Sequence, residues 1–518
     1  MTVTEKMSRE RVYGFLSAKD GKMFNGRGEE ILLCGMGLGN WLLPEGYMWR
    51  FYGTYDRPRR IEGLVSELCG EEYCETFWRA FREKYITEAD VRAMAEHGFN
   101  SVRLPVNWRI VMEECGDIVW REEGFALIDR FLDWCEKYGL YVCLDLHGAP
   151  GGQTGHNIDD SLDDVPHLLT DGRDSEWYRK TIALWCEFAA RYRDRSIVAM
   201  YDLLNEPYRT EKEGTPILPD LRENLKRFYR DCIREIRKID PVHMISVESH
   251  NWASRADFFT EKFDDNMCAH FHRYWCPPAY FMYQEFLDKR DQLDMTLYLG
   301  ETGENTPEWF AAMYPLAAEL DIGYNIWPWK KMDTDNSPYS IRPPKGWEKI
   351  QAYTKAPGTD TKPSPEEARA IFDEYLENID IANCTYVENV IPSIFRRPGC
   401  TVKACDFDTR TEPYHGMRFL DDAGNESEDW NKIRVRFSAG STVTYKLYAD
   451  GEAGIAVIES DFDHAAVKIS VDGKIAADFI LDENCRLEIP IESGRDSRLT
   501  IECTSGEFVL DKIEWNKA

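Results

Sequence analysis

The chain has no excess of positive charge, no apolar run of membrane-spanning length and no Cys-x-x-Cys pair. Its formal net charge is −29, which disfavours nucleic acid and anionic membrane as partners, since both repel an acidic surface. The N-terminal stretch MTVTEKMSRERVYGF lacks the apolar centre of a signal peptide. Fifteen cysteines are an odd number at irregular spacings, and Cys34, Cys143 and Cys268 stand inside apolar runs. Such usage suits small core residues in a reducing compartment, so a cytoplasmic protein with free thiols is expected. No Gly-x-Gly-x-x-Gly opens a helix after the first strand, and GMGLGN at 35–40 matches only in part. A nucleotide site is not expected.

With 518 residues the chain exceeds one ordinary core. GFLSAKDGKMFNGRGEEILLC at 14–34 reads as a hairpin turned by Asp-Gly and leading into a first core strand, ILLCGMGLG at 31–39. An aromatic stretch from Leu42 to about Tyr73 follows, longer than a usual connection and read as irregular. Thr87, with Asp90 three residues on and Gly98 as the stop, marks a helix at 87–97.

A rhythm then sets in. NSVRLP, YVCLDLHG, VAMYDLLNEP, HMISVES, NMCAHFHRYW, LYLGE and IGYNIWPWK are apolar strands, alternating with helical segments at 123–139, 175–194, 221–240, about 254–260, 281–290, 307–321 and 346–355. Eight strand–helix units over roughly 320 residues call for a parallel sheet closed into a (β/α)8 barrel. After FRRPG at 395–399 the runs become short and alternating, bounded by Gly, Asp, Asn and Ser. That pattern predicts an antiparallel β-sandwich of about 120 residues. The expected domains are 1–396, the barrel, and 397–518, the sandwich.

In such a barrel the C-terminal strand ends share one rim. Those ends carry Arg103 (strand two), His147 (three), Asn205 and Glu206 (four), His272 and Tyr274 (six), Glu301 (seven) and Trp327 (eight). Each has a structural explanation when taken alone. Two carboxylates on strands facing each other across the mouth are what acid–base cleavage of an acetal needs, at a separation of ~5–5.5 Å for double displacement. Glu206 then protonates the departing oxygen, and Glu301 attacks while held by Arg103 and Tyr274. Asn205 reaches the sugar 2-hydroxyl, His147 and His272 are hydrogen-bond partners, and Trp327 is a floor for the ring. Most of the sixteen tryptophans are expected in the core, the remainder as platforms for sugar C–H faces.

The motifs SVRLPVNW, LDLHGAPGG, YDLLNEP, HFHRY, LYLGETG and NIWPWK, in this order, resemble glycoside hydrolase family 5, and GMGLGNWLLPE is similar to its exo-glucanase-like branch. The resemblance implies a retaining β-glycosidase with the same roles for the eight residues, acting on β-glucosides or short β-glucan oligosaccharides, and exo-acting. Endo-glucanase or mannanase action on the same fold is the alternative. Thr302 departs from the aromatic residue many members carry after the nucleophile, and His272 is preferred to His270 because its spacing to Tyr274 fits. VKISVDGK and EFVLDKIEW resemble carbohydrate-binding modules of families 6 and 35, which often hold a structural calcium; the alternative is a domain that buttresses the barrel and binds nothing. Asp461, Asp463 and Asp511 are acidic residues available for calcium there, but no metal-ligand spacing is distinctive, and no other cofactor is expected. A zinc hydrolase using His270, His272 and His147 is the rival from another class. It lacks the first-strand histidine pair such barrels carry. A non-enzymatic sugar binder is the second rival, and it would leave both carboxylates without use.

Overall fold

The computed structural model describes residues 2–518 except 213–214, 217–218, 411–416, 449–452, 482–484 and 493–495. The side chains of 211–212, 215–216, 409–410, 459–464, 479–481 and 485 also fall outside it. Packing divides the chain into two compact units. The first holds Met1–Tyr274, Tyr283–Glu304 and Asp321–Tyr386; the second holds Trp275–Met282, Asn305–Leu320 and Val387–Ala518.

In the first unit eight parallel strands close into a barrel. They are β1 (Cys34–Gly37), β2 (Ser101–Asn107), β3 (Tyr141–Gly148), β4 (Val198–Asp202), β5 (Met244–Glu248), β6 (Met267–Tyr274), β7 (Thr296–Gly303) and β8 (Gly323–Trp327). Closure is made by β8 pairing with β1, Tyr324 opposite Cys34. The strands are buried almost throughout, as parallel strands covered on both faces must be. The helix Glu88–His97 starts at Thr87 with the expected Asp90 capping box and stops at Gly98, whose φ of 100° a residue with a side chain would resist.

The hairpin Ser17–Lys19/Lys22–Phe24 turns at Asp20 and Gly21, both with positive φ, the conformation that Asp-Gly favours. Leu16, Met23, Ile31 and Leu33 from this end pack on Tyr141, Cys143, Met200, Met244, Cys268 and Tyr298 from the strand starts. The result is an apolar plug at the N-terminal end of the barrel.

Two local expectations are corrected. The stretch 42–73 is largely ordered into a 3-10 turn, Gly46–Trp49, and a helix, Pro58–Cys69. Pro58 sits at a first-turn position where its missing N–H costs nothing, and Ile61, Leu64, Val65 and Leu68 form the buried stripe. Much of its aromatic content is core: Trp49 is fully buried among Phe77, Trp78, Phe81, Trp347 and Tyr375. The helix expected at 254–260 is only a 3-10 turn, Ala256–Phe258, preceded by left-handed backbone.

The second unit is dominated by an antiparallel β region built on two long strands, Gly454–Val471 and Asp496–Lys517, which pair with each other through three register shifts. Short strands join them, and alternate residues such as Val435, Phe437, Val443, Tyr445, Leu447, Ile501 and Trp515 form its core. Helix Pro307–Glu319 packs on helix Val390–Ile394 and strand Cys400–Lys403. Arg396 fixes this join by donating to the Ala311 carbonyl at 2.8 Å and pairing with Asp408 at 2.8 Å. The sequence boundary at 396/397 therefore falls inside the second unit.

Candidate active site

Side chains of a strand alternate between its two faces, so the barrel interior is filled in layers of period two. Above the plug residues Cys143, Met200, Met244 and Cys268 lie Asp145, Asp202, Ser246 and His270, two positions further along β3, β4, β5 and β6. Asp202 bonds Arg103 at 2.9 Å and Ser246 at 2.9 Å, and Ser246 bonds His270 Nδ1 at 2.9 Å. Two positions further again come His147, Glu248 and His272. Polarity thus rises step by step toward the C-terminal rim.

On β7 that count requires an insertion. Pairing with β6 runs His270 to Tyr298, Phe271 to Leu299, then His272 to Glu301, which leaves Gly300 as the extra residue of a bulge. The bulge shifts the alternation by one, setting Glu301 beside His272. Only glycine fits there, because a Cβ on residue 300 would stand 1.9 Å from His270 Nε2. Glycine also makes room two strands further round: Cβ atoms at Gly37 or Gly39 would lie 2.6 Å from the Trp327 ring.

Arg103 is fully buried and serves as the central cation. Its guanidinium lies 2.6 Å from Glu301, 2.9 Å from Asp202, 2.9 Å from Glu248 and 3.2 Å from Asp145, and it donates to Asn205 Oδ1 at 2.8 Å. Burial alone would lower its pKa, but these carboxylates outweigh it and hold the group well above its ordinary value. Since Arg103 claims Asn205 Oδ1, the Asn205 amide nitrogen faces His147 Nε2 at 3.1 Å. His147 Nδ1 in turn donates to Asp145 at 2.7 Å. A neutral His147 satisfies both contacts, and burial followed by the charge of Arg103 lowers its pKa to about 3.

Glu301 receives Arg103 Nη1 on one oxygen and the Tyr274 hydroxyl on the other, at 2.8 Å. Burial pushes its pKa up, but His272 and Arg103 outweigh that and leave the carboxyl below its usual value. His272 Nδ1 donates to Glu206 Oε1 at 2.6 Å. Burial opposes a charge on His272, whereas Glu248, Glu301 and the bond to Glu206 raise it well above the ordinary imidazole value. Oxygens of Glu206 and Glu301 and a ring nitrogen of His272 lie within 4.8 Å of one another. Trp327 stacks on His147 with ring centres 5.5 Å apart and donates from Nε1 to Tyr47 at 2.8 Å. All eight residues singled out in the sequence meet in this mouth.

Glu206 has φ 41°, unusual for a residue with a side chain. Its backbone is fixed from both sides: the N–H donates to Glu248 Oε2 at 2.6 Å, and the carbonyl accepts from Thr154 Oγ1 at 2.5 Å. Sequence reasoning missed Glu248, although it ends a buried strand just as Glu301 does. Burial raises its pKa despite His272 beside it. It also missed Glu45, buried at the start of the 3-10 turn and bonded to Asn157 at 3.0 Å. Burial, then Glu301, Glu304 and Glu206, push that carboxyl well up; LLPEG offers no periodicity that would have exposed it. Glu304, one turn past Glu301, pairs with Lys331 at 2.7 Å, and Thr302 bonds the Arg273 carbonyl at 2.8 Å.

The two groups of side chains close enough to share a metal ion among the described residues are Glu248–His270–His272 and Glu206–His272–Glu301. His147 stands in neither. Arg103 already provides the cation for Glu248 and Glu301, so these donors are committed to hydrogen bonds. Of the residues expected near calcium, the Asp461 and Asp463 side chains lie outside the described part. Among the described residues no helix is long and apolar enough to cross a membrane.

A family model described as cellulase (glycosyl hydrolase family 5) matches residues 67–333, which include all eight mouth residues. A β-xylosidase of Phanerodontia chrysosporium is 32% identical over 262 residues, 50% of this chain and 52% of that protein. Endoglucanase C of Acetivibrio thermocellus is 24% identical over 321 residues, 50% of this chain and 88% of its own. A glucan 1,3-beta-glucosidase of Candida oleophila is 28% identical over 255 residues, 46% of this chain and 55% of its own. The chain therefore spans about half the length of the xylosidase and the glucosidase it matches.

Proposed function

The chain belongs to glycosyl hydrolase family 5, and from that membership we propose that it is a retaining β-glycosidase, acting from the chain end on β-glucosides or short β-glucan oligosaccharides. The observation carrying this reading is the approach of Glu206 and Glu301 oxygens to within 4.8 Å, near the ~5–5.5 Å typical of double displacement and too short to seat a water for inversion. Glu301 attacks the anomeric carbon while Glu206 gives its proton to the departing oxygen, and the glycosidic C–O bond breaks. Water then adds to the glycosyl ester, losing its proton to Glu206 and freeing the Glu301 carboxylate.

Arg103 and Tyr274 keep the Glu301 carboxylate ionised and aimed. His272 occupies Glu206 Oε1, and Oε2 takes no hydrogen bond among the described residues, which leaves it for the leaving oxygen. The Asn205 amide is fixed by Arg103 to meet the 2-hydroxyl, and Trp327 carries the ring. Exo action is supported by the segment after β1, whose Tyr47 bonds Trp327 and whose Glu45 is buried in the field of both carboxylates. β-Configured substrates are supported by the names of the xylosidase and the glucosidase.

The test is a screen of aryl β-glycosides and β-linked oligosaccharides with Glu301→Gln as control. The first sugar released, followed by NMR, is expected in the β configuration. An inverted product removes Glu301 as nucleophile, and mid-chain cleavage of a long glucan removes exo action.

A further inference from the structure

The loop after β3, residues 149–166, grips the segment that carries Glu206 at three points. Gln153 Nε2 donates to the Asn205 carbonyl at 3.0 Å, Thr154 Oγ1 donates to the Glu206 carbonyl at 2.5 Å, and the Gln153 carbonyl accepts from Tyr208 N–H at 2.9 Å. All five residues are buried. Glu206 is held there at φ 41°, a conformation that costs free energy and persists only when its surroundings over-determine it. A return to negative φ would redirect its Cα–Cβ bond, and the carboxyl with it.

The loop itself is organised by one carboxylate. Asp159 is fully buried. Its Oδ2 accepts from Thr154 N–H at 2.9 Å and Gly155 N–H at 2.8 Å, and its Oδ1 accepts from Ser161 N–H at 3.0 Å and the Ser161 hydroxyl at 2.8 Å. Arg57 Nη1 stands 3.9 Å from Asp159 and donates to the Ser161 hydroxyl. Two glycines let the chain come this close. A Cβ on Gly152 would lie 2.8 Å from Asp159 Oδ2, and one on Gly155 would lie 2.7 Å from the Asp164 carbonyl. Burying a carboxylate is costly unless hydrogen bonds meet its oxygens. Here four donors meet them, and the product is the placement of Thr154: Asp159 holds its N–H, and its hydroxyl reaches Glu206.

The other carboxylate of the mouth is set independently. Glu301 follows the Gly300 bulge and is bonded by Arg103 and Tyr274. A fault in the loop therefore reaches the proton donor first.

We propose that Asp159, acting through Thr154, is the positioning residue for the proton donor, folding the loop after β3 so that the Glu206 carboxyl stays aimed at the departing oxygen. This rests on reading Glu206 as the acid of a glycosidase. Loss of the hold slows the departure of a group that needs a proton and largely spares one that leaves as a stable anion.

The experiment measures kcat/KM on two aryl β-glycosides of the same sugar. One is a methoxyphenyl glycoside, whose departing oxygen needs the proton of Glu206. The other is a dinitrophenyl glycoside, whose phenolate leaves without one. Asp159→Asn is expected to lose roughly tenfold or more on the first and about threefold or less on the second. Thr154→Val, which keeps the shape and removes the hydroxyl, is expected to do the same, and Thr154→Ser to restore the rate. Equal losses on both glycosides make the loop a scaffold and overturn the proposal, as does no loss on either. Where Asp159→Asn does not fold, the two Thr154 variants decide on the same criteria. If the unaltered enzyme cleaves neither glycoside, the glycosidase reading itself has failed and the proposal falls with it, a result seen before any variant is made.

Discussion

The two ends of the barrel strands obey opposite rules. At the N-terminal end β3, β4, β5 and β6 contribute Cys143, Met200, Met244 and Cys268 to an apolar plug closed by the hairpin. Four residues on, β3, β5 and β6 present His147, Glu248 and His272, and the interior is a net of buried charge around Arg103. Burying apolar side chains stabilises at about 25 cal/mol per Å². Burying charges stabilises little or not at all, because desolvation offsets the attraction. One end therefore supplies stability and the other holds groups in states that water would not permit.

That contrast can be broken by mutation. Met200→Ala should cost about 2–5 kcal/mol of unfolding free energy with kcat unchanged below the melting range, read by urea titration beside a rate assay. A large fall in kcat at unchanged stability would erase the distinction. Glu248→Ala tests the opposite end. It frees the Glu206 N–H and removes a carboxylate from His272, so kcat should fall roughly a hundredfold through misplacement, with KM little changed and the pH profile moved. An effect on stability alone would make Glu248 a member of the scaffold.

The smallest effect sharpens the electrostatic side. His147 falls from 6.5 to about 3 on folding, so between these values the unfolded chain binds a proton that the folded chain refuses. Stability from this residue is complete above pH 6.5 and is lost as pH falls toward 3, by at most about 1.4 kcal/mol per unit. Glu301, lowered from 4.5, adds in the same direction only below that value. Glu45 and Glu248, whose pKa values folding raises, act in the opposite direction, so the test is a difference: at about pH 5 to 6.5 His147→Gln should make the slope of urea midpoint against pH less positive than that of the unaltered chain. An unaltered slope would mean that His147 is not held neutral.

Much of this was legible in the sequence because alternation and punctuation are local. Eight apolar runs gave the barrel, and strand-end positions gave Arg103, His147, Asn205, Glu206, His272, Tyr274, Glu301 and Trp327. Pro58 and the stripe Ile61, Leu64, Val65 and Leu68 were also present in the sequence, but the aromatics around them drew the reading toward a loop. Other features depend on distant partners and left no local trace. Glu248 is defined by Arg103 and Glu206, Glu45 by Asn157 and three carboxylates, and the left-handed backbone before Ala256 by the bonds of Asn251 to Tyr208 and Thr210. Arg396 joins residues far apart in the chain, which is why the second unit reaches back to 305–320.

Gly300 has a consequence for anyone who edits or transplants this scaffold. The phase of β7 is set by a position with nothing to conserve except its absence of bulk. Straightening the strand there with its length kept would turn the following carboxylate into the barrel wall without altering a single reactive group. A graft that copied every acid and base but restored an ideal strand would present Thr302 to its substrate in place of Glu301.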